Sequence, residues 1–151
     1  MRVREVMTRD PICCALQDTA QAVAKLLRDR DIGSMPVVSD RNTRHLVGVI
    51  TDRDLVCRIV CEGFDPRTSA VGEFMTRQPV CCRPEQSLDS CEKLMQVHQI
   101  RRIPVIDKEG RCVGILSQAD LARVVQAERV QKTITEISRP AARIIPPAAA
   151  A

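Results

Sequence analysis

The sequence predicts a mixed α/β (α+β) chain of two β-α-β-β-α repeats packed with pseudo-two-fold symmetry, and three observations lead there. Sliding the chain 68 positions along itself lays Val3 to Cys14 (VREVMTRDPICC) on Val71 to Cys82 (VGEFMTRQPVCC), identical at eight of twelve positions. The register persists through DIGSMPVV and QIRRIPVI, slips by two residues in a polar loop, and resumes with LVGVITDRDL from Leu46 over CVGILSQADL from Cys112. The repeats, residues 3–61 and 71–127, are each near the size below which a lone domain buries too little surface, so they are expected to share one core.

Each repeat opens with a strand after Pro11 or Pro79, followed by a helix whose start is marked by a hydroxyl cap at Thr19 or Ser87. Ala20, Val23 and Leu27 recur at helical spacing, as do Leu88, Cys91 and Met95, so these stripes face the core. Two short apolar strands come next, Pro36 to Val38 with Leu46 to Ile50, and Pro104 to Ile106 with Cys112 to Leu116. Their β-branched runs lack alternation, which predicts cover on both faces. A second helix closes each repeat, and QAERVQK is expected to continue the last one across the surface. Residues 62–70, with Gly63, Pro66, Thr68 and Ser69, read as a linker. Residues 128–151 read as a helical extension ending in a mobile Pro/Ala tail over 140–151.

Composition narrows the function classes. A net charge of +4 in 151 residues is too small an excess for a dedicated nucleic-acid binder, and with two Phe, no Tyr and no Trp there are few rings on which bases stack. The core must be aliphatic. No apolar run approaches a membrane span, and Met1 to Val6 lacks the apolar stretch of a signal peptide, so a cytoplasmic protein is expected.

Eight cysteines in such a chain are expected to be reduced thiols serving as small hydrophobes. None follows C-x-x-C spacing, and the adjacent pairs Cys13-Cys14 and Cys81-Cys82 point to opposite faces of a strand, a poor grip for one metal. Cys57 and Cys61, four apart on a helix, can share a face and fit the buried role least. A thiol-based redox or metal sensor remains an alternative. His45 in a polar loop and His98 at a helix end have no nucleophile in their motifs and read as solvated.

The chemistry-bearing motif is Gly-h-h-[Thr/Ser]-x-x-Asp, present as Gly48 to Asp54 (GVITDRD) and as Gly114 to Asp120 (GILSQAD). A hydroxyl residue with a carboxylate three residues later is a helix capping box. The same geometry suits a ligand: the helix start and the hydroxyl of Thr51 or Ser117 for a phosphate, and Asp54 or Asp120 for two ribose hydroxyls. Gly48 and Gly114 permit close approach of backbone or ligand.

Taken in order, the MTRxP openings, the DIGSMPVV and QIRRIPVI segments and the GVITDRD and GILSQAD closings resemble a tandem pair of cystathionine-β-synthase (CBS) domains, a Bateman module. The resemblance covers about residues 3–127 and is greatest to stand-alone bacterial pairs of the hypoxic response protein type. It implies a non-enzymatic sensor with two clefts for AMP, ADP, ATP or S-adenosylmethionine, no obligatory cofactor, homodimer assembly and an unidentified protein effector. Carried over, Asp54 and Asp120 would hold ribose hydroxyls, and Thr51 and Ser117 ribose or phosphate. Val49 and Ile115, with the openings Ile12-Cys13 and Val80-Cys81, would line the base; Arg53 joins the first cleft. Arg101 and Arg102 match the family's basic residue before the Pro-bearing strand, whereas Gly33 and Ser34 depart from it, so the clefts are expected to differ in phosphate binding. The alternative is a ligand-free interaction protein whose motifs are helix caps only.

Overall fold

The computed structural model describes residues 1–140. A 3-10 turn, Val3–Glu5, leads into β1 (Thr8–Arg9), β2 (Cys14–Ala15), α1 (Ala20–Asp29), β3 (Ser34–Val38) and β4 (Leu46–Thr51). Helix α2 (Asp52–Asp54) runs directly into a π-helical stretch, Leu55–Val60. The second copy begins with the turn Val71–Glu73 and continues through β5 (Thr76–Arg77), α3 (Leu88–His98), β6 (Arg102–Ile106), β7 (Cys112–Ser117) and α4 (Gln118–Val124). A last helix, α5 (Ala127–Ile137), follows.

Local signals act where the sequence places them. Thr19 Oγ1 accepts from the Ala22 amide and Ser87 Oγ from the Ser90 amide, each at 3.2 Å, so α1 and α3 start behind hydroxyl caps. Both apolar stripes are buried. The β3–β4 and β6–β7 pairs are antiparallel, and each shifts register at the same place, between Val37 and Val38 and between Val105 and Ile106.

The repeats are interlocked by their openings. β1 of the first repeat adds to β7 of the second, with Thr8 opposite Ile115 and Arg9 opposite Gly114. β5 of the second adds to β4 of the first, with Thr76 opposite Val49 and Arg77 opposite Gly48. The sheets therefore run β1-β7-β6 and β2-β3-β4-β5. Side chains follow: Val3 is buried in the second core beside Val6 and Met7, while Val71 and Met75 are buried in the first beside Phe74. Full burial of a Val or Met side chain contributes about 1.5–3 kcal/mol, so each exchanged arm is a structural part of the other half.

Four expectations need correction. Instead of one shared core there are two clusters, because each sheet buries an aliphatic face under its own helices and the halves meet through the exchanged arms and the hairpin loops, where His45 bridges to Arg111. The strand after Pro11 is only the two residues of β2, and its counterpart after Pro79 is a single bridge from Cys82 to Val105. Cover on both faces holds for β3 but not for β4 and β7, where buried and half-buried residues alternate. QAERVQK does not continue α4: Val125 is extended (φ −105°, ψ 147°), and α5 restarts to lie on α3. The mobility expected of residues 140–151 falls, from 141 onward, outside the described residues.

The linker is tied down. Ala70 bridges to Thr19, Ser69 O accepts from the Ala20 amide at 2.8 Å and Pro66 O from the Gln21 amide at 2.9 Å. Arg2 bridges to Ser87 in the corresponding place.

Candidate functional site

Both Thr/Ser-x-x-Asp motifs are complete capping boxes. Thr51 Oγ1 accepts from the Asp54 amide and Asp54 Oδ2 from the Thr51 amide, both at 3.0 Å. In the second copy Ser117 Oγ accepts from the Asp120 amide at 3.2 Å, Asp120 Oδ2 accepts from the Ser117 amide at 2.9 Å, and the Ser117 hydroxyl donates to the same oxygen at 2.7 Å. The other carboxylate oxygens each face an arginine: Asp54 Oδ1 lies 3.4 Å from Arg58, whose Nη1 also donates to Phe74 O at 2.8 Å, and Asp120 Oδ1 lies 3.5 Å from Arg123. Each aspartate thus commits one oxygen to the helix start and leaves the other against a guanidinium, half-exposed at Arg58 and exposed at Arg123.

The helix-start amides expected to cradle phosphate are engaged in the first copy and in part in the second. In the first copy the Asp52 amide donates to Gly33 O and the Arg53 amide to Asp52 Oδ1, besides the two capping bonds. In the second the Gln118 amide donates to Arg101 O. An anion at the first cap has to be met by side chains.

The register sets what lies beside each cap. Ser34 faces Thr51 across β3–β4, and Arg102 faces Ser117 across β6–β7. Arg102 then reaches into the first repeat: a Cβ built on Gly33 would lie 3.4 Å from Asp52 Oδ2 and 3.7 Å from Arg102 Nη1. The Arg102 guanidinium therefore lies beside Gly33 and Asp52 of the first repeat. Arg101 and Arg53 are exposed.

Val49, Thr51, Ile115 and Ser117 lie on the half-buried faces of β4 and β7. Ile12-Cys13 crosses from the β7 side of one sheet to the β3 side of the other, and Val80-Cys81 makes the corresponding crossing from β4 to β6; all four are half-buried. The close approach expected at the motif glycines is realised by protein: a Cβ on Gly48 would stand 2.4 Å from Met75 Sδ, and one on Gly114 2.5 Å from Met7 Sδ. Grooves of about 380 Å³, lined by Ala122, Ala127, Val130 and Ile134, and about 280 Å³, beside Leu88, Val125 and Arg129, involve none of the candidate residues.

Arg44 is a residue that sequence reasoning missed. It donates from Nη2 to Pro11 O at 2.9 Å and to Cys13 Sγ at 3.4 Å. Its one local signal is alignment with Gly110, since both lie at positive φ. The Cys112 thiol hydrogen-bonds the Cys13 sulfur and, helped by the Arg44 charge and against burial, holds the Cys13 pKa below the usual thiol value. Burial pushes Cys81 up to about 11. Cys14, Cys82, Cys91 and Cys112 are buried as expected, but Cys57 and Cys61 are exposed, because the π-helical stretch turns Leu55 and Ile59 inward instead. His45 and His98 are exposed. Among the described residues no three His, Cys, Asp or Glu side chains are grouped to hold a metal ion.

Comparison with known proteins adds to this geometry. The CBS domain family matches residues 3–60 and 71–127. Hypoxic response protein 1 of Mycobacterium tuberculosis is 33% identical over 139 residues, 92% of this chain and 95% of that protein. The crystal structure of Hypoxic Response Protein I with two coordinated zinc ions is similar at a TM-score of 0.76, covering 83% of this chain and 100% of that one, at 33% identity. CBSX2 of Arabidopsis thaliana in complex with AMP has a TM-score of 0.71 at 25% identity over 81% of this chain and 93% of that one. The CBS domain pair of protein MJ0100 in complex with 5′-methylthioadenosine and S-adenosyl-L-methionine has a TM-score of 0.70 at 26% identity over 82% and 94%.

Proposed function

The chain belongs to the CBS domain family as a tandem pair, and from that premise we propose that it is a non-enzymatic, cytoplasmic regulatory module that binds an adenosine-containing ligand and signals to a protein partner. The observation that carries the reading is the duplicated cap: two carboxylates at equivalent positions, each with one oxygen fixed by its own helix start and the other held only by a long contact, 3.4–3.5 Å, to an arginine of the next helical turn. A ribose diol has two donors for that second oxygen, and the Thr51 or Ser117 hydroxyl stands beside it. The adenine would lie against Val49 or Ile115 and the crossings Ile12-Cys13 and Val80-Cys81. Relatives in complex with AMP and S-adenosyl-L-methionine support the ligand class.

Arg102 is the residue assigned to an anionic group. It faces Ser117 across β6–β7 and its Nη1 reaches the neighbourhood of Gly33 and Asp52 in the first repeat. Because the first repeat has Gly33 and Ser34 where the second has Arg101 and Arg102, the clefts are unequal, and phosphate-bearing ligands favour the side that Arg102 reaches.

A second reading, an interaction protein without a ligand, has one observation in its favour: the caps are satisfied internally and the grooves lie elsewhere. A thermal-shift panel with AMP, ADP, ATP and S-adenosylmethionine separates the two. A ligand of the native state raises Tm by mass action, about 2.7 kcal/mol of stability at a hundredfold excess over Kd. No shift with any of the four leaves the interaction reading standing.

A further inference from the structure

The two crossings differ in their sulfur chemistry. Cys13 and Cys81 hold the same place in the two repeats, yet Cys112 stands where the first repeat has Leu46, and Arg44 where the second has Gly110. Arg44 adopts φ 55°, against 79° at Gly110, a conformation ordinary for glycine and uncommon for arginine. From that backbone its Nε donates to Cys112 O at 3.3 Å while Nη2 donates to Cys13 Sγ, and Arg44 O accepts from the Cys112 amide at 2.9 Å. One arginine therefore ties the opening of the first repeat to β7 of the second, and the Cys13 and Cys112 side chains interact beside it.

We infer that Cys13 and Cys112 form an oxidation site of the chain, closing a reversible disulfide between the two repeats in the presence of a peroxide. The Cys13 thiolate attacks a peroxide oxygen and the O–O bond breaks, leaving a sulfenic acid and one water. Cys112 gives up its proton and attacks the sulfenic sulfur, whose hydroxyl leaves as a second water. Two thiols and one hydrogen peroxide become one disulfide and two waters; the sulfurs lose two electrons and the peroxide gains them.

Position and acidity select this pair. Cys13 is half-buried and thus reachable, with its thiol more acidic than usual through the Cys112 hydrogen bond and the Arg44 charge. Cys112 is buried and less acidic than usual, so it serves as the resolving thiol and Cys13 as the point of attack; Cys82 and Cys91 are also in contact, but both are buried inside the second core and neither is reachable. The inference is independent of the adenosyl reading.

The test treats the full chain with hydrogen peroxide, blocks remaining thiols with iodoacetamide, and digests with trypsin. The expected product joins peptides 10–25 and 112–123, two hydrogens lighter than their sum, and disappears with dithiothreitol and in Cys13→Ser. Cys14→Ser, in the same peptide, keeps the link. Without oxidant, Cys13 should alkylate several-fold faster than Cys81, because the Cys112 contact and the Arg44 charge favour its thiolate while burial disfavours that of Cys81. Arg44→Gly, which suits the same backbone, should reduce that advantage. A Cys82–Cys91 disulfide with none at Cys13, or equal alkylation of Cys13 and Cys81, would overturn the inference.

Discussion

Met75 of the second repeat rests its sulfur on the bare α-carbon of Gly48 in the first, and Met7 of the first rests on Gly114 in the second. This reciprocal contact holds the exchanged arms against the partner strands. A methyl on Gly48 would also come within 2.8 Å of Thr76 O, a backbone atom, whereas on Gly114 the corresponding distance to Thr8 O is 3.1 Å. Gly48→Ala should therefore destabilise by about 1–3 kcal/mol, and more than Gly114→Ala. Urea denaturation of both variants checks the order; equal midpoints with wild type would remove the arms from the stability account.

Helix α5 is latched by a buried carboxylate. Glu92 accepts from Arg129 Nε at 2.6 Å and from the Thr133 hydroxyl, and Gln96 donates to Thr133 at 2.8 Å. Breaking a fully buried pair costs ~3–5 kcal/mol, but the Arg129 side chain is 44% exposed, so Arg129→Met should cost about 2 kcal/mol. Amide exchange over residues 127–137 should accelerate in the variant. Unchanged exchange there would mean that apolar contacts alone hold α5.

Alkaline pH should loosen the fold through its thiols. Burial, then the Asp18 charge, pushes Cys14 up to about 12, and burial pushes Cys81 up to about 11, while unfolded thiols ionise near pH ~8.5. With folded values raised, the stabilising contribution is complete below the unfolded pKa and is lost as pH rises towards 11–12. The urea midpoint should hold from pH 7 to 8 and fall from pH 9 upward, less steeply in Cys14→Val. The same slope in that variant would refute the assignment.

Self-association should run through the π-helical stretch and its flank, where Val56, Val60 and Phe64 are 53%, 62% and 51% exposed. Light scattering should give about twice the 16.8 kDa chain mass, and Val60→Glu should shift it towards the monomer. A monomeric wild type at micromolar concentration would contradict the dimer.

What could be read in the sequence was local or duplicated. The caps at Thr19, Ser87, Thr51 and Ser117 were legible because a capping bond spans three residues, and the repeat exposed both motif copies at once. The arm exchange was not, because β1 and β5 are two exposed residues each, held by backbone bonds that leave no hydrophobic alternation. Arg44 was hidden for another reason: its acceptors lie 33 and 68 residues away. The reach of Arg102 to Gly33 and Asp52 crosses from one repeat to the other, so the departure from the family pattern at Gly33 was visible while this contact was not.

Calorimetric titration of the wild type and of Asp54→Asn and Asp120→Asn with AMP and 2′-deoxy-AMP tests the central claim most directly. Asparagine keeps an oxygen for the capping amide and removes the charge, so it separates the helix cap from the ribose contact. Losing a hydrogen bond to a charged group is worth about 1.5–3 kcal/mol, so the deoxy sugar should bind wild type roughly ten- to a hundredfold more weakly. Each variant should lose that selectivity at its own cleft. Equal affinity of wild type for the two sugars, or no binding of either, would contradict the ribose role of Asp54 and Asp120.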